Sequence, residues 1–292
     1  MTPTASSDSL PALDTSSLDL PPVEEARRLR FVALDMDGTL ARSDHSVAPE
    51  FWPVARELLD RGIVLCAASG RQRNAIVATM EPVVDRIMIL SENGAAVWDG
   101  ENVVRAEAVD ASVLAAVTET VRELRAAGHN VGLLAATPHQ AYVESTDELF
   151  LEFVTRYNPN VAETDDLTAL PHDVVKIAVW SERPATEVTY PAIAALGLEA
   201  DTVRSAENWI DVMRTGTSKG ASLRRVISDL GIAPEECAAF GDHHNDLTML
   251  QSVGMSFAIG NAEPEVKDVA RFVAPTNDEN GVARVLRALL DA

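Results

Sequence analysis

The sequence predicts an α/β protein: a doubly wound parallel, Rossmann-like sheet that carries a compact α+β insert. From residue 31 onward, short apolar runs alternate with amphipathic stretches, which is the signature of βα units. That rhythm breaks over 97–207 and then resumes. At 292 residues the chain is also too long for one minimal domain. The expected division is a disordered acidic tail over 1–28, a core built from 29–96 and 208–292, and an α+β domain inserted at 97–207.

The elements follow in order. The first 28 residues are rich in Ser, Pro and Asp, with neither a basic start nor an apolar centre, so they read as a tail and not a secretory signal. "RFVALDM" is a continuous apolar run, as expected of a parallel strand covered on both faces. In "APEFWPVARELLDRG", Phe51, Val54, Ala55, Leu58 and Leu59 recur at helical spacing and Gly62 ends the helix. "IVLCAAS" is a second strand, "RQRNAIVATMEP" a helix and "RIMILSENGA" a third strand. In the insert, "SVLAAVTETVRELRAAG", "ELFLEFVTRY" and "ATEVTYPAIAALG" read as helices. "NVGLLAA", "AYVES", "DVVKIAVW", "DTVRS" and "WIDVM" read as its strands. The core resumes with the helix "SKGASLRRVISDLG", whose Leu223, Val226, Ile227 and Leu230 share a face before Gly231. "CAAFGD", "SFAIG" and "RFVA" are its strands, and "NDLTMLQSVG", "EPEVKDVA" and "GVARVLRALLD" its helices.

Charge narrows the function. Lys and Arg number 24 against 45 Asp and Glu, a formal charge of −21. Such a surface repels phosphate backbones and anionic lipid, so neither a nucleic-acid nor a membrane partner is expected. An anionic ligand would need a local cation. Cys66 and Cys237 lie in apolar runs and read as core thiols of a reducing compartment. No apolar run approaches the roughly 18–20 residues that span a bilayer. The expectation is a cytoplasmic protein, monomeric or a small homo-oligomer.

The chemistry is concentrated where apolar strands end. In an open α/β sheet, ligands bind at the carboxyl ends of the strands. The polar residues there are Asp35 and Asp37, Ser69-Gly70-Arg71, Glu92-Asn93 and Gly241-Asp242, with Lys219 in the first turn of a helix. A carboxylate can be the nucleophile of a phosphoryl transfer, and Asp35, at the strand tip, is the natural one. Asp37 can protonate the leaving oxygen and later activate water. Two carboxylates would repel a dianionic ester, so a divalent cation is needed, and Asp242 adds a third hard oxygen suited to Mg²⁺. Ser69 and the Gly70 amide can bind phosphoryl oxygens, Lys219 brings a fixed positive charge, and Asn245 begins the helix after Asp242.

Each residue alone has a plainer reading. The D-x-D could be a solvated loop, Ser69 a helix cap, Lys219 a surface lysine and Asp242 a capping carboxylate. His243 and His244 resemble a metal pair, but adjacent residues rarely chelate together, and they read as solvent-facing loop residues. What favours the functional reading is that all the others fall at strand ends, in one order.

Four segments resemble the signatures of the haloacid dehalogenase superfamily of phosphohydrolases, in its Cof-like branch: "DMDGTL", "ASGR", "TSKGASL" and "GDHHND". "SENGA", "NAEPEVKDVA" and "NDENGVARVL" add branch-level likeness, and the resemblance covers about 31–292. It implies Asp35 as nucleophile and Asp37 as acid/base, the latter touching the metal through its main-chain carbonyl. It further implies that Asp242 completes a Mg²⁺ site, that Ser69, Lys219 and Asn245 bind phosphate, and that Asp246 orients the site from behind. Only 33 residues separate Asp37 from Gly70, so the 97–207 insert is the cap that closes over the site and chooses the leaving group. Acidic cap residues such as Glu144 or Asp147 could meet sugar hydroxyls but read more simply as solvated charges.

The expected function is a Mg²⁺-dependent phosphatase of small phosphomonoesters such as sugar phosphates. The alternatives are a phosphosugar mutase or phosphotransferase with the same chemistry, and a non-catalytic phosphosugar-binding protein. A receiver domain would carry its acceptor Asp on a later strand in about half the length, and a P-type pump needs membrane helices.

Overall fold

The computed structural model describes residues 13–144, 147–157, 160–170 and 173–292. In chain order the first elements are α1 (Val23–Ala26), β1 (Phe31–Asp35), α2 (Phe51–Asp60), β2 (Val64–Ala68), α3 (Arg73–Met80), β3 (Met88–Ser91), β4 (Ala96–Asp99) and β5 (Asn102–Ala106). Next come α4 (Ala111–Ala126), β6 (Val131–Ala136), β7 (Ala141–Val143), α5 (Glu148–Tyr157), β8 (Val161–Glu163), β9 (Lys176–Ser181), α6 (Thr189–Ala194), β10 (Ala200–Ala206) and β11 (Trp209–Arg214). The chain closes with α7 (Lys219–Asp229), β12 (Cys237–Gly241), α8 (Leu247–Leu250), β13 (Met255–Ala258), α9 (Pro264–Val269), β14 (Phe272–Val273) and α10 (Gly281–Asp291). Two compact units result, one of residues up to Leu65 with Ile227–Ala292, the other Cys66–Val226. No helix among the described residues is long and apolar enough to cross a membrane.

In the first unit, parallel strands run in the order β14-β13-β12-β1. β1 and β12 are buried along their whole length, which is why both read as uninterrupted apolar runs. Leu34 lies opposite Phe240, and Phe240 stacks on Phe257 with centroids 4.7 Å apart. α2 and α10 pack together through faces that include Leu58, Val285 and Leu286, with Glu57 and Arg287 paired at 2.6 Å on their polar edge.

Residues 13–28 fall in the stretch expected to be a disordered tail, and the structure corrects that expectation. They hold the single turn α1, the Asp14 carbonyl accepts from Arg284 at 2.6 Å, an Asp19 carboxylate oxygen from the Val273 amide at 3.3 Å, and Glu25 pairs with Arg271 at 3.0 Å. Residues 1–12 lie outside the described residues.

In the second unit β3 pairs in parallel with β2, and β4 and β5 then continue antiparallel as a hairpin. Asp99 and Asn102 close its two-residue loop, where Gly100 takes φ +57. No strand was expected at 97–106, so the sheet is mixed and not purely parallel. A six-stranded sheet, β10-β11-β9-β6-β7-β8, spans 131–214 and is antiparallel except for β7–β8. Its strands alternate. Leu133, Ile177, Val179, Ile210 and Val212 face α4 through Val117 and Val121, while Leu134, Ala178 and Trp180 face α5 through Phe150 and Val154. Gly132 makes this second face possible, since a Cβ there would lie 2.3 Å from the Phe150 ring. Each large apolar side chain so covered contributes about 1.5–3 kcal/mol.

Two acids of the insert have structural work. Glu144 was read as a solvated charge, but its side chain is 9% exposed and it clamps Arg122 at 2.6 Å while accepting from the Leu167 amide. Asp147 accepts from the Phe150 amide at 2.9 Å at the start of α5, which fits the preference of Asp for a helix N-terminus.

Candidate active site

The first unit holds Asp35, Asp37, Asp242, Asn245 and Asp246; the second holds Ser69, Gly70 and Lys219. Asp35 ends β1 and is buried, whereas Asp37 is exposed one turn beyond. The backbone reverses sharply here, the Ala41 amide donating to the Met36 carbonyl at 2.8 Å. Gly38 carries the turn with φ +75, and a Cβ on it would stand 2.4 Å from an Asp242 carboxylate oxygen. Glycine is therefore required twice over, for its conformation and for room.

Asp242 follows β12, the parallel neighbour of β1, so sheet register brings the two strand ends side by side. Its carboxylate accepts from the Thr39 hydroxyl at 2.8 Å. Asp246 is fully buried, and one of its oxygens accepts from the Asp242 and His243 amides at 3.0 and 3.1 Å. Oxygens of Asp35, Asp242 and Asp246 all lie within 4.8 Å of one another. Burial pushes the Asp242 carboxyl up from its ordinary value; the Thr39 hydroxyl draws it back and the Asp246 charge raises it further. A converging set of hard oxygens under mutual repulsion and partial desolvation fits a divalent cation of the Mg²⁺ type. Asp246, assigned from sequence to an orienting role, sits within this carboxylate group; the Asp37 carboxylate does not. Asn245 is exposed in the 3₁₀ turn that leads into α8. His243 and His244 are exposed, as read from the sequence, and both pair with Glu263.

In the second unit Ser69 follows β2 and is buried. It is not the cap of α3, which begins at Arg73; its hydroxyl accepts from the Arg71 amide at 3.1 Å. The turn Glu92–Asn93–Gly94 braces this loop. Asn93 and Glu92 amides donate to the Ser69 and Arg71 carbonyls at 3.0 and 3.1 Å, and all three turn residues have positive φ, at 52, 55 and 89. The same turn meets α7, where the Ser222 hydroxyl donates to the Gly94 carbonyl at 2.6 Å. Lys219, at the start of α7, is fully buried, so it is not the surface lysine of the plainer reading.

Sequence reasoning missed Thr39 and the ion pair beneath the Ser69 loop. Lys176, from β9, pairs with buried Glu92 and reaches the Gly70 carbonyl at 3.4 Å. Burial alone would lower the Lys176 pKa, but Glu92 and Asp211 beside it win and hold it charged. Burial raises Glu92, with Lys176 offsetting part of the rise. The available signal was a lone lysine opening the apolar strand "KIAVW".

The chain is 28% identical to the 5-amino-6-(5-phospho-D-ribitylamino)uracil phosphatase YitU of Bacillus subtilis, covering 88% of this chain and 96% of that one. It is 28% identical to the HMP-PP phosphatase of Cronobacter sakazakii over 81% of this chain and 86% of that one. Among solved structures, a protein of Eubacterium rectale matches with TM-score 0.83 at 28% identity, covering 89% of this chain and 99% of that one. A haloacid dehalogenase-like hydrolase of Bacteroides thetaiotaomicron matches with TM-score 0.80 at 26% identity, covering 89% and 99%. The family model for haloacid dehalogenase-like hydrolases matches residues 32–286, and the chain therefore belongs to that family of enzymes.

Proposed function

We propose that the chain is a Mg²⁺-dependent phosphatase that hydrolyses small phosphomonoesters through an aspartyl-phosphate on Asp35. The observation that carries this reading is that Asp35 and Asp242, at two adjacent strand ends, gather with Asp246 from the turn that follows. Relatives named as phosphatases support it. An Asp35 oxygen attacks phosphorus and the bond to the leaving oxygen breaks, while Asp37 gives that oxygen its proton. Asp37 then takes a proton from water, whose oxygen attacks phosphorus and releases phosphate, restoring Asp35. Ser69, the Gly70 amide, Lys219 and Asn245 bind phosphoryl oxygens that gain charge. Asp35, Asp242 and the Asp37 carbonyl would hold Mg²⁺, which when bound neutralises the carboxylates and the ester dianion. Asp246 keeps Asp242 aimed through the two amides it accepts from. The 97–207 segment serves as the cap over the site, and the partner is a small-molecule ester in the cytoplasm.

The test is phosphate release from a panel of esters, with and without Mg²⁺. Asp35→Asn should lower turnover roughly a thousandfold or more, and Lys219→Ala roughly a hundredfold. No release from any ester by the wild type, or undiminished turnover by Asp35→Asn, defeats the mechanism.

A further inference from the structure

The turn that follows β12 carries a second group of metal-ligating side chains, apart from the three carboxylates. His243, His244 and Glu263, all in the first unit, each offer an atom within 4.8 Å of the other two. His243 Nε2 stands 3.5 Å from Glu263 Oε1, and His244 Nδ1 lies against Glu263 Oε2. In sequence the histidine pair argued against itself, because neighbouring side chains normally diverge. Here the backbone is extended at His243, with φ −125 and ψ 167, and then enters the 3₁₀ turn His244–Asp246. That change of direction brings the two rings to 5.6 Å between centroids, at 85° to each other, beside one carboxylate.

The backbone already holds the three together. The Glu263 amide donates to the Asp242 carbonyl at 3.0 Å, and the His243 amide donates to Asp246 at 3.1 Å. Glu263 is thus tied to the residue that precedes the histidines. Its Oε2 is shielded from solvent and accepts no hydrogen bond, although His244 Nδ1 is beside it. A shielded carboxylate oxygen left in that state is unfavourable, and a bound cation relieves it. Lys267, four residues on, donates instead to the Gly260 carbonyl at 2.7 Å.

We propose that His243, His244 and Glu263 form a second metal site, for a divalent cation of the Zn²⁺ type, with a fourth position left to water. Two imidazole nitrogens and a carboxylate are ligands that zinc takes. Mg²⁺ takes oxygen sets, such as the one that Asp35, Asp242 and Asp246 make. Size agrees as well as type. Ligand atoms of a tetrahedral zinc stand about 3.4 Å apart, close to the 3.5 Å between His243 Nε2 and Glu263 Oε1. Both rings are exposed, so their torsions are free to complete the set and the ion has a way in. Zinc bound here fastens the turn that carries Asp242 to the start of α9, and it does so independently of the reaction proposed for Asp35.

The test is a Zn²⁺ titration of the full untagged chain, ¹⁵N-labelled at histidine, in excess Mg²⁺. Of the six histidines, the rings of His243 and His244 should respond first and saturate at one equivalent. His243 should respond through Nε2 and His244 through Nδ1. By equilibrium dialysis, His244→Ala and Glu263→Gln should each weaken Zn²⁺ binding about tenfold or more. His129→Ala, in the other unit, should leave it unchanged. Should a variant fail to fold, the ring responses of the wild type decide alone. Zn²⁺ that shifts neither ring, or binding undiminished in both variants, overturns the proposal. Either result stands whether or not any ester is hydrolysed.

Discussion

Replacing Lys176 by Met leaves the Glu92 carboxylate buried, 2% exposed, without its counter-ion. Breaking a buried pair from one side costs about 3–5 kcal/mol. Glu92 can escape by taking a proton, which limits the cost to about 1.4 kcal/mol for each pH unit above its unfolded value of 4.5. The ceiling is therefore about 4 kcal/mol at pH 7.5 and about 1.4 kcal/mol at pH 5.5. The sign follows from the direction of the shift. A carboxyl raised in the folded state loses stability as pH climbs through the interval between its unfolded and folded pKa values, so the variant should be worst in alkali. For a unit of 161 residues, each kcal/mol moves Tm by about 2–4 °C. Differential scanning calorimetry of wild type and Lys176→Met should thus show a deficit of about 6–16 °C at pH 7.5, shrinking to about 3–6 °C at pH 5.5. Glu92→Gln combined with Lys176→Met should restore most of the loss. A deficit that is flat with pH, or below about 1 kcal/mol at pH 7.5, refutes the assignment of a buried, mutually dependent pair.

Three further outcomes follow from the geometry. Gly38→Ala must strain a φ of +75 and displace the Asp242 carboxylate, so urea denaturation should show a loss of about 1–3 kcal/mol, with phosphatase turnover lost more steeply than stability. Asp246→Ala strips two part-buried amides of their acceptor and should cost about 1–3 kcal/mol by the same titration; a change below about 0.5 kcal/mol would mean that water replaces the carboxylate. Burial raises both thiols, Cys237 to about 12, so a colorimetric disulfide reagent should modify neither cysteine until denaturant is added; rapid reaction of the native protein would contradict that burial.

The βα alternation and the strand-end carboxylates were legible because they are local. A continuous apolar run such as "FVALD" and an i, i+3, i+4 face such as that of α2 carry their own periodicity. The β4–β5 hairpin was locally signalled too, by Asp99-Gly100 between Val97-Trp98 and Val103-Val104, yet the weight given to βα rhythm hid it. Distant pairing was out of reach. Glu144 looks like any exposed acid until Arg122 is brought to it, and the tail looks disordered until Arg284 and Arg271 take hold of it. Lys176 and Glu92 lie 84 residues apart, with nothing in either neighbourhood to name the other.

That separation bears on how the protein comes to exist. Glu92 and Asn93 adopt left-handed backbone that costs of order 1–3 kcal/mol per non-glycine residue, and the first of them is paired with the distant Lys176. During synthesis at about 5–20 residues per second, β2 and β3 can form several seconds before Lys176 leaves the ribosome. Until then the loop of Ser69 and Gly70 has its strands and its bracing turn but not the lysine that pairs with Glu92. A chain cut short within the insert would keep β2 and β3 and lose the lysine that pairs beneath the Ser69–Gly70 loop, so the insert acts as a late keystone.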